Sequence, residues 1–574
     1  MLAGNASQPT DDSPRTPSRS VRTVNASKAG GEGQLSVSGE HRDITAAARL
    51  LATLTLLSRI AGLTRDLVIA ALFGASGAAD AFFVAFRIPN LFRRVVAEGA
   101  TSTAFVPVFT WYRSRRGDRE AARAAVAVGG AALATLSVLV VAGVAGASWV
   151  ISVFAPGFAA EPSKQGLAVA LVRLTFPYLL FVGLAAWAMG VLHAFRRFLA
   201  PALGPILLNL AIIASALLLS PRLERPIYAL AIGVLIGGAL QFAVQAPSLV
   251  AVGLRPRAAF QGLHPAVGRV GRLLVPTLFG GAVYQIGILL ATVFASLLPE
   301  RSISYLWYAD RVFEFPLGIV AVAVGTAALP SLSAQASERR LGAMADTAAY
   351  ALRLVWALCI PATIGLWLLA PTIVEVLFER GRFTPLDTSM TAWALRAYAV
   401  GMLGVASVRV LVSVFYALEK PRIPVATATM ALLLNALCDL ALMGPPAQPV
   451  SWWGAGLVAR LQAAVAVADF DHAGLALGTG IAAIVNAGLL FVLAGKLLGR
   501  SVGGALGTSA LRHALAAVVM ATVVVLWQKA ASNLPAPLEL AGAILLGCSA
   551  YIGAALALGS DEVRALLARW QPAA

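Results

Sequence analysis

Along most of the chain, apolar residues come in runs of roughly 20, each long enough to cross a hydrocarbon core of about 30 Å as an α-helix. Short stretches rich in Gly, Pro or Arg separate them. The pattern predicts helices over 45–73, 80–108, 121–155, 165–193, 199–220, 226–253, 268–298, 303–333, 346–378, 388–417, 422–443, 473–498, 509–531 and 537–559. That is an all-α polytopic membrane protein of about 14 transmembrane helices. Residues 1–44 break the pattern. They are rich in Ser, Thr, Gly and Pro and lack an apolar core segment, which predicts a disordered tail and excludes a secretory signal. In 444–472, Trp452, Trp453, Arg460 and Asp469 lie amid Ala and Val, which predicts a short amphipathic helix in the membrane interface on the periplasmic side.

Composition agrees. Hydrophobic residues make up 59% of the 574 and charged residues 12%, with mean hydropathy +0.81, where a soluble domain carries about 25% charged residues. The net charge of +17 would suggest nucleic acid in a soluble protein. Here the cations sit in short loops, where they set topology and meet anionic lipid. Loops leaving even-numbered helices hold Arg113, Arg115, Arg116 and Arg119; His193, Arg196 and Arg197; Arg255, Arg257 and Arg269; Arg339 and Arg340; Lys420 and Arg422; Lys496 and Arg500. Among the opposite loops, 74–79 has no cation and 156–164 has only Lys164, though 379–387 carries Arg380 and Arg382. This bias places both termini in the cytoplasm of a bacterial inner membrane.

An internal repeat divides the chain. His193-Ala-Phe-Arg-Arg-Phe-Leu-Ala-Pro201 leads to Asn209, and Tyr416-Ala-Leu-Glu-Lys-Pro-Arg-Ile-Pro424 leads to Asn435. The copies fall six helices apart, so they share an orientation. They imply two pseudo-symmetric six-helix lobes, 45–253 and 254–498 with the 444–472 insertion, and two further helices in 499–574.

Charges mark the cavity between such lobes. Helix 1 holds Arg59, Arg65 and Asp66; helix 2 holds Asp80, Arg87, Asn90, Arg93, Arg94 and Glu98; helix 8 holds Asp310, Arg311 and Glu314. Each costs about 2.5–3.5 kcal/mol at the bilayer centre, so it faces a bundle interior or water. Arg59 and Asp66 are seven apart, as are Asp80, Arg87 and Arg94, which places each set on one helix face. Pairing between helices accounts for the acids. Helices 1 and 2 still hold five Arg against three acids, and a cationic cavity suits an anion, with Arg fitted to phosphate. In helices 11 and 12, Asn435, Asp439 and Thr479 form a candidate site for a small hard cation or a buried hydrogen-bonded network.

The chain has no GxxxxGK[ST] loop, no HExxH, no CxxC and no GxSxG. Its three cysteines lie in apolar segments, and its histidines, 41, 193, 264, 472 and 513, are scattered. These absences favour a transporter over an enzyme, with no cofactor or metal implied.

Several blocks resemble one family. Ser58-Arg-Ile-Ala-Gly-Leu-Thr-Arg-Asp66, Asp80-Ala-Phe-Phe-Val-Ala-Phe-Arg-Ile-Pro-Asn-Leu-Phe-Arg-Arg94, Ala97-Glu-Gly-Ala100, Ala155-Pro-Gly-Phe158, Thr175-Phe-Pro-Tyr178 and Tyr308-Ala-Asp-Arg-Val-Phe-Glu-Phe-Pro316 are similar to the MurJ (MviN) family of lipid II flippases. The resemblance implies the fold of the multidrug/oligosaccharidyl-lipid/polysaccharide flippase superfamily and export of undecaprenyl-linked peptidoglycan precursor for wall synthesis. It implies that Arg59, Arg65, Arg93 and Arg311 contact the substrate, that Asp80 and Glu98 order them, and that the chain acts as a monomer with membrane lipids around it. Asn435, Asp439 and Thr479 resemble a sodium site of part of the family. That site also draws on an acid in helix 7, and 268–298 has no Asp or Glu. Sodium and the membrane potential are thus both candidate driving forces. The alternatives are a flippase for another polyprenyl-linked glycan, a cation-coupled drug exporter of the same superfamily, a membrane scaffold and a polyprenyl-dependent glycosyltransferase. The intramembrane charges argue against a scaffold, and the lack of an acidic loop cluster argues against a transferase.

Overall fold

In the computed structural model, residues 29–93, 104–254, 264–447, 454–499 and 506–568 are described. Glu98, Arg94, Trp452, Trp453, Arg255, Arg257, Arg500 and residues 1–28 of the expected tail lie outside them. The chain forms two compact units, Met1–Thr53 and Leu54–Ala574, and the helix bundle is the second.

The helices are α1 (Ala29–Phe73), α2 (Gly77–Arg93), α3 (Val106–Ala145), α4 (Ala147–Phe154), α5 (Pro162–Thr175), α6 (Tyr178–Ala194), α7 (Leu199–Leu219), α8 (Tyr228–Ala243), α9 (Ala246–Ala251), α10 (Pro265–Leu297), α11 (Ser302–Ser337), α12 (Leu341–Phe378), α13 (Pro385–Ala417), α14 (Arg422–Leu442), α15 (Ala455–Val465), α16 (Asp471–Leu498), α17 (Leu506–Ala530), α18 (Ala536–Ala557) and α19 (Asp561–Ala568). Among the described residues, ten spans are long and apolar enough to cross a membrane. Helices α1, α2, α10 and α11 fill the other four expected positions, and three of these four carry the intramembrane charges.

Several expected boundaries move. Helix α1 opens at Ala29, well before 45, because a helix once nucleated by an apolar run extends at one hydrogen bond per residue. The expected 165–193 helix breaks at Phe176 and Pro177 into α5 and α6, since Pro cannot donate within a helix. Pro107 stands in the first turn of α3, and the backbone leaves helical geometry at Gly117 (φ 82°, ψ 172°), so two helical stretches meet there, inside the connection expected between 108 and 121.

Helices α2, α3, α5, α6, α7 and α8 pack among themselves, and α11, α12, α13, α14 and α16 do likewise; α17 and α18 pack together against α12. The repeat has a matching backbone in both copies. Arg196 (φ 57°) and Glu419 (φ 55°) end α6 and α13 in the left-handed region. The next N–H reaches back five residues, Arg197 to Leu192 O and Lys420 to Phe415 O, both at 2.9 Å. This is a Schellman turn in duplicate.

The 444–472 insertion carries the expected short helix, α15. Val458, Gln462 and Val465 face inward, while Leu457 and Leu461 are exposed beside Arg460. Gln462 donates to the Gly444 carbonyl, and Met443 bridges to Asp469. At the start of α10, His264 Nδ1 accepts from Ala266 N–H at 3.1 Å while its Nε2 lies 3.2 Å from Glu120 of α3.

Candidate functional site

One end of the bundle is clamped shut between the two helix groups. The Asp80 carboxylate of α2 accepts from Arg301 N–H (2.8 Å), Ser304 N–H (2.9 Å) and the Ser304 hydroxyl (2.6 Å) at the amino terminus of α11. An anion is favoured there, because the first N–H groups of a helix lack partners and carry its positive pole. Tyr308 donates to Gly74 O (3.2 Å), Arg382 N–H to Ala71 O (2.9 Å) and Gly157 N–H to Ser296 Oγ (3.1 Å). Phe83 stacks on Trp307 with centroids 4.5 Å apart.

Beneath the clamp lies a cavity of about 390 Å³. Arg87, Asn90, Trp307, Asp310, Arg311 and Glu314 line it, with Tyr398, Asn435, Thr479 and Asn486 on the opposite wall. Arg87 donates to Thr292 Oγ1 (2.7 Å), and its guanidinium lies 5.5 Å over the Trp307 ring. Arg311 lies over the same residue at 4.8 Å and pairs with Glu314 (3.2 Å) and Asp310 (3.5 Å). Among the described residues the formal lining charge is two Arg against two acids, which balance. The expected excess of cations is not in this lining, because Arg59, Arg65 and Arg93 lie off it.

The clamp aligns the starts of α2 and α11 and the end of α1, so depth follows from about 1.5 Å of rise per residue. Arg65, Arg311 and Arg87 stand about 12–15 Å below the clamp, and Arg59 and Arg93 about 21–24 Å below it. The arginines thus lie at two depths, with Arg59 and Arg93 further from the clamp than Arg65, Arg87 and Arg311. Arg59 is exposed and its guanidinium abuts Gly318 of α11. Arg93 donates to Asn90 Oδ1 at 2.7 Å.

Two roles differ from expectation. Arg65 is held by Asp66 through bonds of 2.8–3.1 Å and by Asn209 Oδ1 at 3.0 Å, and is 11% exposed, so it is fixed inside its own lobe. Asp80 orders none of the cavity arginines; it serves the clamp, because a carboxylate at the start of α2 meets the start of α11 and not the arginines two and three turns on. Asn435 donates to Asp439 Oδ1 (2.8 Å), and Asp439 is buried against Gly478. Thr479 donates to Leu475 O of its own helix. No metal-ligating group of three His, Cys, Asp or Glu occurs among the described residues. Sequence reasoning missed Thr292, Trp307, Ser304 and Asn486. Of these only Asn486, a lone amide in an apolar helix, gave a signal.

A bundle of membrane helices in two packed groups, shut at one end over a charged cavity, defines an alternating-access membrane transporter. Comparison with known proteins narrows the class. The sequence profile of lipid II flippase MurJ matches residues 69–537. The chain is 39% identical over 448 residues to the lipid II flippase MurJ of Burkholderia cenocepacia, covering 76% of this chain and 81% of that one. It is 34% identical over 543 residues to the probable lipid II flippase MurJ of Bdellovibrio bacteriovorus, covering 93% and 98%. Among solved structures, lipid II flippase MurJ in an inward closed conformation matches at TM-score 0.72 and 26% identity, over 90% of this chain and 99% of that one. An inward-facing MATE family multidrug transporter of the MOP superfamily matches at TM-score 0.62 and 14% identity, over 79% and 98%, which shows a shared fold. The chain belongs to the lipid II flippase MurJ family, and is accordingly a transporter and not an enzyme. Since the lining charge is balanced, this membership, and not charge, separates it from drug exporters of the same fold.

Proposed function

We propose that this chain carries lipid II from the cytoplasmic to the outer leaflet of a bacterial inner membrane by alternating access, for wall synthesis. The observation that carries the reading is the Arg87–Arg311 cavity lying directly under a clamp built from both helix groups. The cation-poor loops 74–79 and 156–164 lie at the clamped end, which supports a periplasmic clamp with both termini in the cytoplasm. The pyrophosphate enters from the inner side, passing Arg59 and Arg93 before it meets Arg87 and Arg311. Guanidiniums bind phosphate oxygens two at a time, which offsets the loss of water. Arg311 is held in place by Asp310 and Glu314 and can exchange those partners for phosphate. The lipid tail stays in the bilayer. Opening the clamp then releases the headgroup outward, and each negative charge moved outward gains about 2.3 kcal/mol per 100 mV of membrane potential.

The chain works as a monomer, with membrane lipids around it. A sodium ion fits the wall opposite the arginines: the Asp439 carboxylate, Asn435 Oδ1 and Thr479 Oγ1 supply oxygen donors, and the ion would neutralise a buried acid.

Two substitutions with opposite charge effects test the reading in cells depleted of their own flippase, with exposure of lipid II to an external probe as readout. Arg311→Gln takes the formal lining charge from zero to −1 and is expected to cut exposure about tenfold or more, one charged hydrogen bond being worth about 1.5–3 kcal/mol. Glu314→Gln takes it to +1 and is expected to retain activity. A wild-type chain that reaches the membrane and exposes no lipid II refutes the function, and an active Arg311→Gln refutes the role of the cavity.

A further inference from the structure

Asp80 is enclosed by four donors. Three belong to α11 and cross between the helix groups: Arg301 N–H, Ser304 N–H and the Ser304 hydroxyl. The fourth is the Lys164 ammonium, 3.0 Å from Asp80 Oδ2. Lys164 belongs to α5, which packs directly against α2, so this bond stays within one group. Opening the clamp breaks three of the bonds and keeps the fourth. In the closed clamp the Lys164 and Asp80 side chains are 9% and 2% exposed, and the ammonium sits 4.7 Å from the Phe158 ring centroid.

We propose that Lys164 is a positioning residue of the outer gate. It holds Asp80 aimed at the amino terminus of α11, so the gate closes only over a charge-matched pair. The inference rests on the alternating-access reading above. A buried charge that loses its partner is strongly destabilising, whereas an exposed pair is worth little. In the closed state both groups are out of water, so removing either one leaves the other without its paired opposite charge. Water reaches both in the open state, and the same removal costs much less. Two side cavities, of about 70 and 370 Å³, already border Lys164, and Glu161 and Glu300 line each of them. Arg382, Arg225 and Glu224 complete the charged surroundings in the larger one. Lys164 therefore has water and other carboxylates beside it as soon as α11 withdraws.

The consequence is a pattern across four variants that a general packing role does not produce. Lys164→Met strands a carboxylate in the closed gate, and Asp80→Asn strands an ammonium. Each opens the gate. Asp80→Asn with Lys164→Met strands neither, since the Asn oxygen still accepts from Ser304, and it closes the gate again. Lys164→Arg keeps the charge and stays closed.

The measurement is the distance between spin labels at Ser163 and Leu386, one on each side of the seam, in the full chain in liposomes. Cys359, Cys438 and Cys548 are replaced first. The two single neutralisations are expected to raise the open fraction about tenfold or more, and the double variant to return most of the way to wild type. A Lys164→Met chain with a wild-type distance distribution overturns the proposal, as does a double variant at least as open as both singles. If Lys164→Met does not reach the membrane, Asp80→Asn and the double variant decide in the same way. The readout needs no substrate, so it is distinguishable from failure of the function. A wild-type chain that shows one distance under all conditions refutes alternating access itself, and a chain with a working gate that moves no lipid II refutes the substrate.

Discussion

Gly157→Ala is a wedge that acts on only one of the two states. Gly157 sits in the short turn Pro156–Ala160, against the end of α10. A Cβ there would fall on the Ser296 carbonyl and the peptide bond to Leu297. These are backbone atoms, which cannot rotate aside as a side-chain tip can. Overpacking of this kind costs about 1–3 kcal/mol. The cost exists only while α10 lies against the turn, so it falls on the clamped state alone and shifts the gate equilibrium about 5- to 150-fold toward open. Gly74→Ala is a poorer test: its Cβ would meet the Arg382 carbonyl, but its φ of +62° also strains any other residue in both states. Gly166→Ala, with nothing within 4 Å of the added carbon, is the control. A cysteine at Ala75, which is 3% exposed in the clamp, reports opening through its reaction with an impermeant maleimide from outside. Gly157→Ala is expected to label about 5- to 150-fold faster than wild type, and Gly166→Ala at the wild-type rate. A well-expressed Gly157→Ala chain that labels at the wild-type rate refutes the reasoning.

Asp439→Asn removes the one carboxylate of the candidate sodium site and is expected to raise the Na⁺ concentration for half-maximal flipping about tenfold or more; wild-type flipping that is indifferent to Na⁺ against K⁺ refutes the site. Glu562 of α19 is buried, which alone would raise its pKa, yet its own backbone N–H, Ser560, His513 and Arg353 outweigh burial and hold its carboxyl below the ordinary 4.5. A depressed carboxyl stabilises the fold above its unfolded pKa and stops doing so as pH falls through the folded one. Hydrogen exchange in 561–568 should therefore quicken below pH 4.5, and Glu562→Gln should exchange fast at every pH. Glu419→Gly relieves a left-handed residue at the end of α13 and is expected to raise thermal stability by about 1 kcal/mol, read as resistance to heating in detergent. Unchanged or lowered stability would mean that the Glu419 side chain matters more than its backbone.

Much of the fold was legible because hydropathy and bilayer thickness constrain each other: an apolar run of given length has one use. The errors fall where that rule is silent. The block Arg113–Arg119 reads as a loop by charge, yet the chain leaves helical geometry in it only at Gly117, since helices can continue past the membrane surface with their cations in water. The site was legible in its residue types and not in its pairings. Arg59, Arg87 and Arg311 were marked by the cost of a charge in lipid, and two of them line the cavity. The Arg65–Asp66 pair was hidden because neighbours in sequence do not face each other on a helix; only the long, forked Arg side chain folds back far enough. Asp80 was expected to order Arg59, Arg65, Arg93 and Arg311, when three of its four bonds come from residues more than 200 positions away at the start of another helix. Periodicity reports a shared face, and gives no information on what approaches that face.

The repeat carries the argument one step further. Asn209 and Asn435 stand in the helix that follows each copy's Schellman turn, one helical turn apart in register. Asn209 binds a cation, Arg65, at 3.0 Å, and Asn435 binds an anion, Asp439, at 2.8 Å. Duplication alone would yield two alike walls; these walls have kept the amide and inverted the charge it holds. Asn435 and Thr479 line the same cavity as Arg87 and Arg311. A cation held at Asp439 would therefore make the wall opposite the arginines less repulsive to a pyrophosphate without touching it. By linkage, the anion would tighten cation binding by the same factor. With a cation bound at Asp439, an asymmetric pair of lobes would supply what a symmetric pair cannot, a means for one charge to assist the passage of its opposite through a single cavity.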